Sequence, residues 1–153
     1  MAAVYTIGWI LADPGVVPAI AESVALSAVV VVLVVTALAA PVGLHLTAAV
    51  ATVSVIVASV DIGDRAASRD RAGVSETVQV VAYASAPLAF AGPPIPALRI
   101  VCGVYAGLLL YLGVRVVHRT TPVRALVAAV PPALLGYGVG YRVIAAIRTL
   151  AGS

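Results

Sequence analysis

The chain has 153 residues, of which 63% are hydrophobic and 10% charged, with a mean hydropathy of +1.16. Soluble domains carry about 25% charged residues, so this composition excludes an ordinary water-soluble fold. Net charge is +3, but the nine cations are dispersed and form no basic run, which excludes the concentrated footprint that nucleic-acid binding requires.

All nine cations are Arg, and with the heavy use of Ala and Val this points to a high-GC, prokaryotic genome. Cys102 stands alone in an apolar run, which leaves no intramolecular disulfide and predicts a buried, inert thiol. The first 22 residues read as a short interfacial segment. Asp13-Pro14-Gly15 cuts its apolar stretch before it could span or serve as a signal peptide, and Tyr5 and Trp9 suit the headgroup level.

Residues 23–60 contain no Asp, Glu, Lys or Arg, and Pro41-Val42-Gly43 interrupts them near the middle. Each half approaches the ~20 apolar residues needed to cross a bilayer, so the segment predicts a hairpin of two spans, Ser23–Ala40 and Leu44–Val60. The Val-rich run could pass for a strand, but in lipid only helices and closed barrels satisfy the backbone, and period-two alternation is lacking. A polar loop from Asp61 to Glu76 follows. The third span is Thr77–Ala91, starting as early as Val74, with Pro87 predicting a tilt or kink. Gly92-Pro93-Pro94-Ile95-Pro96 makes a rigid turn into the fourth span, Leu98–Val114. The loop Arg115–Arg124 leads to the fifth span, Ala125–Tyr141. The tail, residues 142–153, places Val143, Ile147 and Leu150 on one helical face and either lies on the membrane surface or extends the fifth helix.

The fold class is therefore all-α, a polytopic membrane bundle of about five transmembrane helices spanning residues 23–141. Five spans put Arg65, Arg69, Arg71, Arg115, Arg119 and Arg124 on the side of the N-terminus, against Arg99, Arg142 and Arg148 opposite. The excess of Arg predicts a cytoplasmic N-terminus and an outside C-terminus in a multi-pass protein of the cell membrane.

Three groups of residues are candidates for function. His45, Thr52 and Ser59 recur at spacing seven and share a helical face, while Thr47 and Ser54 form a second line; hydrogen bonding between helices ranks above a transport pathway, because no ionisable group accompanies them. Gly103 and Gly107, and Gly136 and Gly140, give two GxxxG spacings that permit close helix approach. Pro87, Pro131 and Pro132 interrupt spans and free carbonyls that neighbours must satisfy; a bundle-shaping kink ranks above a hinge or polar crevice. Ser85 lacks the G-x-S-x-G context of a nucleophile, and His45 and His118 form no metal motif, so no catalytic, metal or cofactor site is expected. His118, beside Arg119, reads as a solvated loop residue.

Val80-Val81-Ala82-Tyr83-Ala84-Ser85-Ala86-Pro87-Leu88-Ala89, then Gly92-Pro93-Pro94-Ile95-Pro96, a span with Tyr105 and Gly107, and Ala129-Val130-Pro131-Pro132 resemble the Yip family. These are Ypt- and Rab-GTPase-interacting integral membrane proteins, and the chain resembles a prokaryotic-type member. The resemblance covers Thr77 to Pro132, with the first two spans similar in hydropathy, and its core residues here are Tyr83, Ser85 and Pro87. It implies a five-span domain with a cytoplasmic N-terminus. Eukaryotic members use a longer cytosolic region with an Asp-Leu-aromatic-Gly-Pro motif. Asp13-Pro14-Gly15 is not that motif, which weighs against a Rab-type GTPase partner.

The resulting expectation is a non-enzymatic scaffold or partner-binding module, contacting membrane lipids and another membrane protein or itself, with no cofactor. The alternative is a small permease or lipid-handling protein, or an accessory subunit of a transporter.

Overall fold

A computed structural model describes residues 1–20, 23–58 and 73–152, and all of its regular structure is helical. Helix α1 spans Ala2–Ala12 and ends at Asp13, whose carboxylate accepts the Gly15 amide and holds a single 3₁₀ turn, Pro14–Val16. Ser23 then caps α2 by accepting the Leu26 amide at 3.1 Å.

Helix α2 runs without interruption from Val24 to Ala58, 35 residues. This corrects the hairpin predicted at Pro41-Val42-Gly43. Proline removes a donor and its ring crowds the carbonyl four residues earlier. Here the helix widens into a π turn over Val35–Ala39, where the Ala40 amide bonds the Val35 carbonyl five residues back. The wider turn lets the chain continue through Pro41 without reversing. At 1.5 Å per residue α2 is about 52 Å long, well beyond the ~30 Å of a bilayer's hydrocarbon core.

Helix α3 covers Val74–Ala84, with Glu76 in its first turn, and gives way at Ser85 to a 3₁₀ segment, Ala86–Ala91. The third span is thus a broken element and not one membrane-length helix. Helix α4, Pro96–Val117, and helix α5, Pro122–Gly140, correspond to the fourth and fifth spans. Each starts with proline in its first turn, where the missing amide costs no intrahelical bond. Beyond Pro131 and Pro132, α5 widens into a π stretch, Ala133–Gly140. Helix α6, Val143–Ala151, does not extend α5: Arg142 lies between them with φ 59°, in the left-handed region.

Among the described residues α2, α4 and α5 are each able by length and composition to cross a membrane, three helices where the sequence predicts five spans. The second half of α2 packs most extensively against α5. Along this contact the buried residues include Thr47, Ala48, Ala51 and Val55 on α2, and Ala125, Ala128, Ala129 and Pro132 on α5. Small residues three and four apart share a helix face and let two backbones approach closely. Helices α3 and α4 are antiparallel, with Thr77 beside His118 and Val80 against Gly113. Leu88, Leu110 and Val114 complete the core, each fully buried.

His118 closes one end of this bundle. It is 7% exposed, which overturns its reading as a solvated loop residue. The Thr77 hydroxyl donates to the Gly73 carbonyl and shares a 3.1 Å hydrogen bond with His118 Nε2, tying the end of α4 to the start of α3.

The opposite end is built around α1, which lies across the 3₁₀ segment and the turn after it. A Cβ on Gly92 would collide with the Tyr5 carbonyl oxygen, so only glycine admits α1 here. At the same end, Trp9 of α1 meets Arg142 at the start of α6.

Candidate functional site

The residues of the sequence core, Tyr83, Ser85 and Pro87, lie at the break between α3 and the 3₁₀ segment. Pro87 cannot donate to the Tyr83 carbonyl, and the chain tightens instead, with the Leu88 amide bonding the Ser85 carbonyl at 3.1 Å. Ser85 Oγ donates to the Ala82 carbonyl at 2.8 Å, and the Met1 sulfur lies 3.5 Å away. Tyr137 of α5 donates its hydroxyl to the Val81 carbonyl at 3.2 Å, reaching across the bundle to the turn preceding the break. Tyr83 points outward and is 76% exposed.

The 3₁₀ segment ends in carbonyls that the following prolines cannot serve. Arg99, on the first turn of α4, supplies the donors: Nε bonds the Ala91 carbonyl at 3.0 Å and Nη2 the Gly92 carbonyl at 2.9 Å. It is 8% exposed. The break is thus held from both sides, by Tyr137 above and Arg99 below. Sequence reasoning used Arg99 only to count charge. The legible signal was the Gly92-to-Pro96 turn, whose carbonyls lack amide partners, followed three residues later by a side chain with five donors.

A lateral groove of about 350 Å³ opens between α3 and α4, lined among others by Glu76, Gln79, Val80, Tyr83, Leu109 and Gly113. Its polar groups, Glu76 and Gln79, lie toward the His118 end. Gly113 escaped sequence reasoning; it lets Val80 seat against α4, where a Cβ would stand 2.6 Å from the valine side chain.

The remaining candidates separate. His45 is exposed, and its Nδ1 donates to the Pro41 carbonyl at 2.7 Å. Thr52 is half-buried and donates to the Ala48 carbonyl at 2.8 Å. Both serve the backbone of their own helix, and Ser59 lies outside the described residues. The buried member is Thr47, from the second polar line; it packs against Gly136, where a Cβ would stand 2.7 Å from its methyl. Gly103 is likewise internal, its missing Cβ filled by Val143 of α6. Gly107 has open space around it, and Gly140 meets only the Leu135 carbonyl oxygen at 3.9 Å. One glycine of each pair is therefore spent on the fold and the other left over. Pro131 is exposed and Pro132 buried against the bundle. Among the described residues no three His, Cys, Asp or Glu side chains gather as metal ligands would.

At the α1 end, Tyr5 and Tyr141 meet edge to face, with centroids 5.1 Å apart at 79°. The Arg142 guanidinium carbon lies 5.5 Å from the centroid of the Trp9 ring, within cation–π range. Burial pushes the Tyr5 phenol up, against the lowering pull of the Arg99 and Arg142 guanidiniums.

Long apolar helices, small residues at their contacts and carbonyls satisfied by neighbouring side chains define an integral membrane protein with an all-helical fold. The Yip1 domain family model matches residues 1–142, and the chain belongs to that family. The match extends the resemblance from Thr77–Pro132 back over α1 and α2. Neither a curated protein nor a solved structure gives a match.

Proposed function

We propose that the protein is a non-enzymatic scaffold of the cell membrane whose work is to bind another membrane protein or a second copy of itself. The observation that carries this reading is the first half of α2. From Val24 to Ala39 only Ser27 is buried, and Leu26, Val29, Leu33, Val34 and Leu38 face outward. The main contacts of this half with the other described helices are with α1. A helix of about 52 Å exceeds the bilayer core, and such a mismatch is relieved by tilting or by association with other helices. Gly107 and Gly140, unused within the fold, add places where a partner backbone could approach.

The polar groups of α2 favour this reading over a permease, since His45 and Thr52 are engaged by their own backbone. The Arg count favours placing the His118 end in the cytoplasm, because Arg115, Arg119 and Arg124 lie near it and Arg99, Arg142 and Arg148 lie toward the other. With α2 as one crossing, α1 then sits on the outer side, opposite to the assignment five spans would give. A Rab-type GTPase has no role in this reading.

Copurification from native membranes in mild detergent, followed by mass spectrometry, tests it. A discrete partner at near-equal stoichiometry, or a dimer of the chain, is expected, and both should be lost in Val29→Trp/Leu33→Trp. A monomer carrying only lipid, unchanged by those substitutions, would overturn the reading.

A further inference from the structure

Two cations and three aromatic rings converge where α1, the Gly92–Ile95 turn, the start of α4 and the start of α6 meet. Arg99 is almost wholly buried, and its bonds are to neutral carbonyls through Nε and Nη2; Nη1 takes part in neither. Among the described residues no carboxylate pairs with it. The carbonyls satisfy its donors but leave its positive charge in place, and a nearby anion would offset the cost of holding that charge at the edge of a membrane bundle. Arg142 brings a second cation to the same corner. Its guanidinium carbon lies 5.5 Å from the Trp9 ring centroid, and the residue is exposed, so its planar set of donors is open to a ligand. Arg142 also holds φ 59°, a conformation glycine adopts more readily, so a backbone cost is borne to place a side chain there. Tyr5 links the two: its backbone carbonyl lies against Gly92, whose own carbonyl Arg99 bonds, and its ring packs against Tyr141, the residue before Arg142.

We propose that this corner is a binding site for a phosphate-bearing anion, the headgroup of an anionic phospholipid, held by Arg142 with Arg99 behind it and the Tyr5 and Tyr141 hydroxyls at its rim. Arginine suits phosphate because its planar fork donates two parallel hydrogen bonds, and Tyr and Trp favour the headgroup level, where such an anion is available. Two cations with no carboxylate paired to them among the described residues select an anionic headgroup over a zwitterionic one. The site does not depend on the partner-binding reading, because every group in it belongs to one chain.

Trp9 is the only tryptophan and lies under Arg142, so its fluorescence reports on the site. The full chain in nanodiscs of phosphatidylcholine would be titrated with phosphatidylglycerol, following Trp9 emission. A saturable change is expected with phosphatidylglycerol and none with added phosphatidylcholine. Arg142→Gln should weaken it about tenfold, the loss expected for one charge-assisted contact. Arg148→Gln removes an equal charge from the exposed side of α6 and should leave the affinity within twofold. Circular dichroism would confirm that both variants retain helicity. If inorganic phosphate alone reproduces the change, the same residues take a free phosphate and the site stands. Equal responses to the two lipids, or equal weakening in the two variants, would overturn it.

Discussion

The two halves of α2 are both apolar and uncharged, yet the more apolar one is the less buried. From Ala40 to Ala58 the helix buries Thr47, Ala48, Ala51 and Val55 against the bundle; from Val24 to Ala39 it buries only Ser27. Greater hydropathy does not bury the first half, because in lipid an apolar side chain gains nothing by exchanging tails for another helix. The packed half interleaves Ala and Thr at helical spacing and meets a stripe of Ala on α5, whereas the outlying half is a run of Val and Leu. Shape, not greasiness, chooses where this helix packs.

That contrast can be broken by substitution, and the largest effect belongs to the closest approach. Gly136→Leu should lower stability by about 3 kcal/mol, because even a Cβ would overlap Thr47. Thermal unfolding in detergent, followed by size exclusion, would show the loss. Ala51→Leu, at a position with 0% exposure, should cost about 2 kcal/mol by the same overpacking. Removing one hydroxyl in Tyr137→Phe deprives the Val81 carbonyl of its cross-bundle donor and should cost about 1 kcal/mol. On the outlying half, Val29→Ala and Leu33→Ala should each change the stability of the isolated chain by less than about 0.5 kcal/mol. A loss above about 1 kcal/mol at either position would mean that this half is packed and the contrast is false.

Much of the fold is legible in sequence. The composition sets the all-helical membrane class, the Gly92-to-Pro96 turn and the charged loop around His118 delimit α4 and the start of α5, and Pro87 marks the break after α3. Pro41 was misread for a physical reason. In a membrane helix proline permits either a turn or a continuation, and the π turn that decides between them leaves no mark in the pattern of side chains. His118 was misread because its partner, Thr77, lies 41 positions away. The GxxxG pairs were visible, but their division into a spent and a free glycine depends on Val143 and Thr47, which reach them from other helices. Arg99 was the most informative residue passed over, since charge counting treats every arginine as a topological marker and ignores which carbonyls lack donors.

The account rests most directly on α2 being one helix, and a distance measured along it tests that claim. Val29 and Val53 are both exposed, and spin labels on cysteines placed there, in a Cys102→Ala background, allow pulsed electron paramagnetic resonance in nanodiscs. A continuous helix predicts a separation of about 36 Å along the axis. A hairpin turning at Pro41 would bring the two positions level on neighbouring helices, within roughly 10–20 Å once label length is included, and would contradict the account.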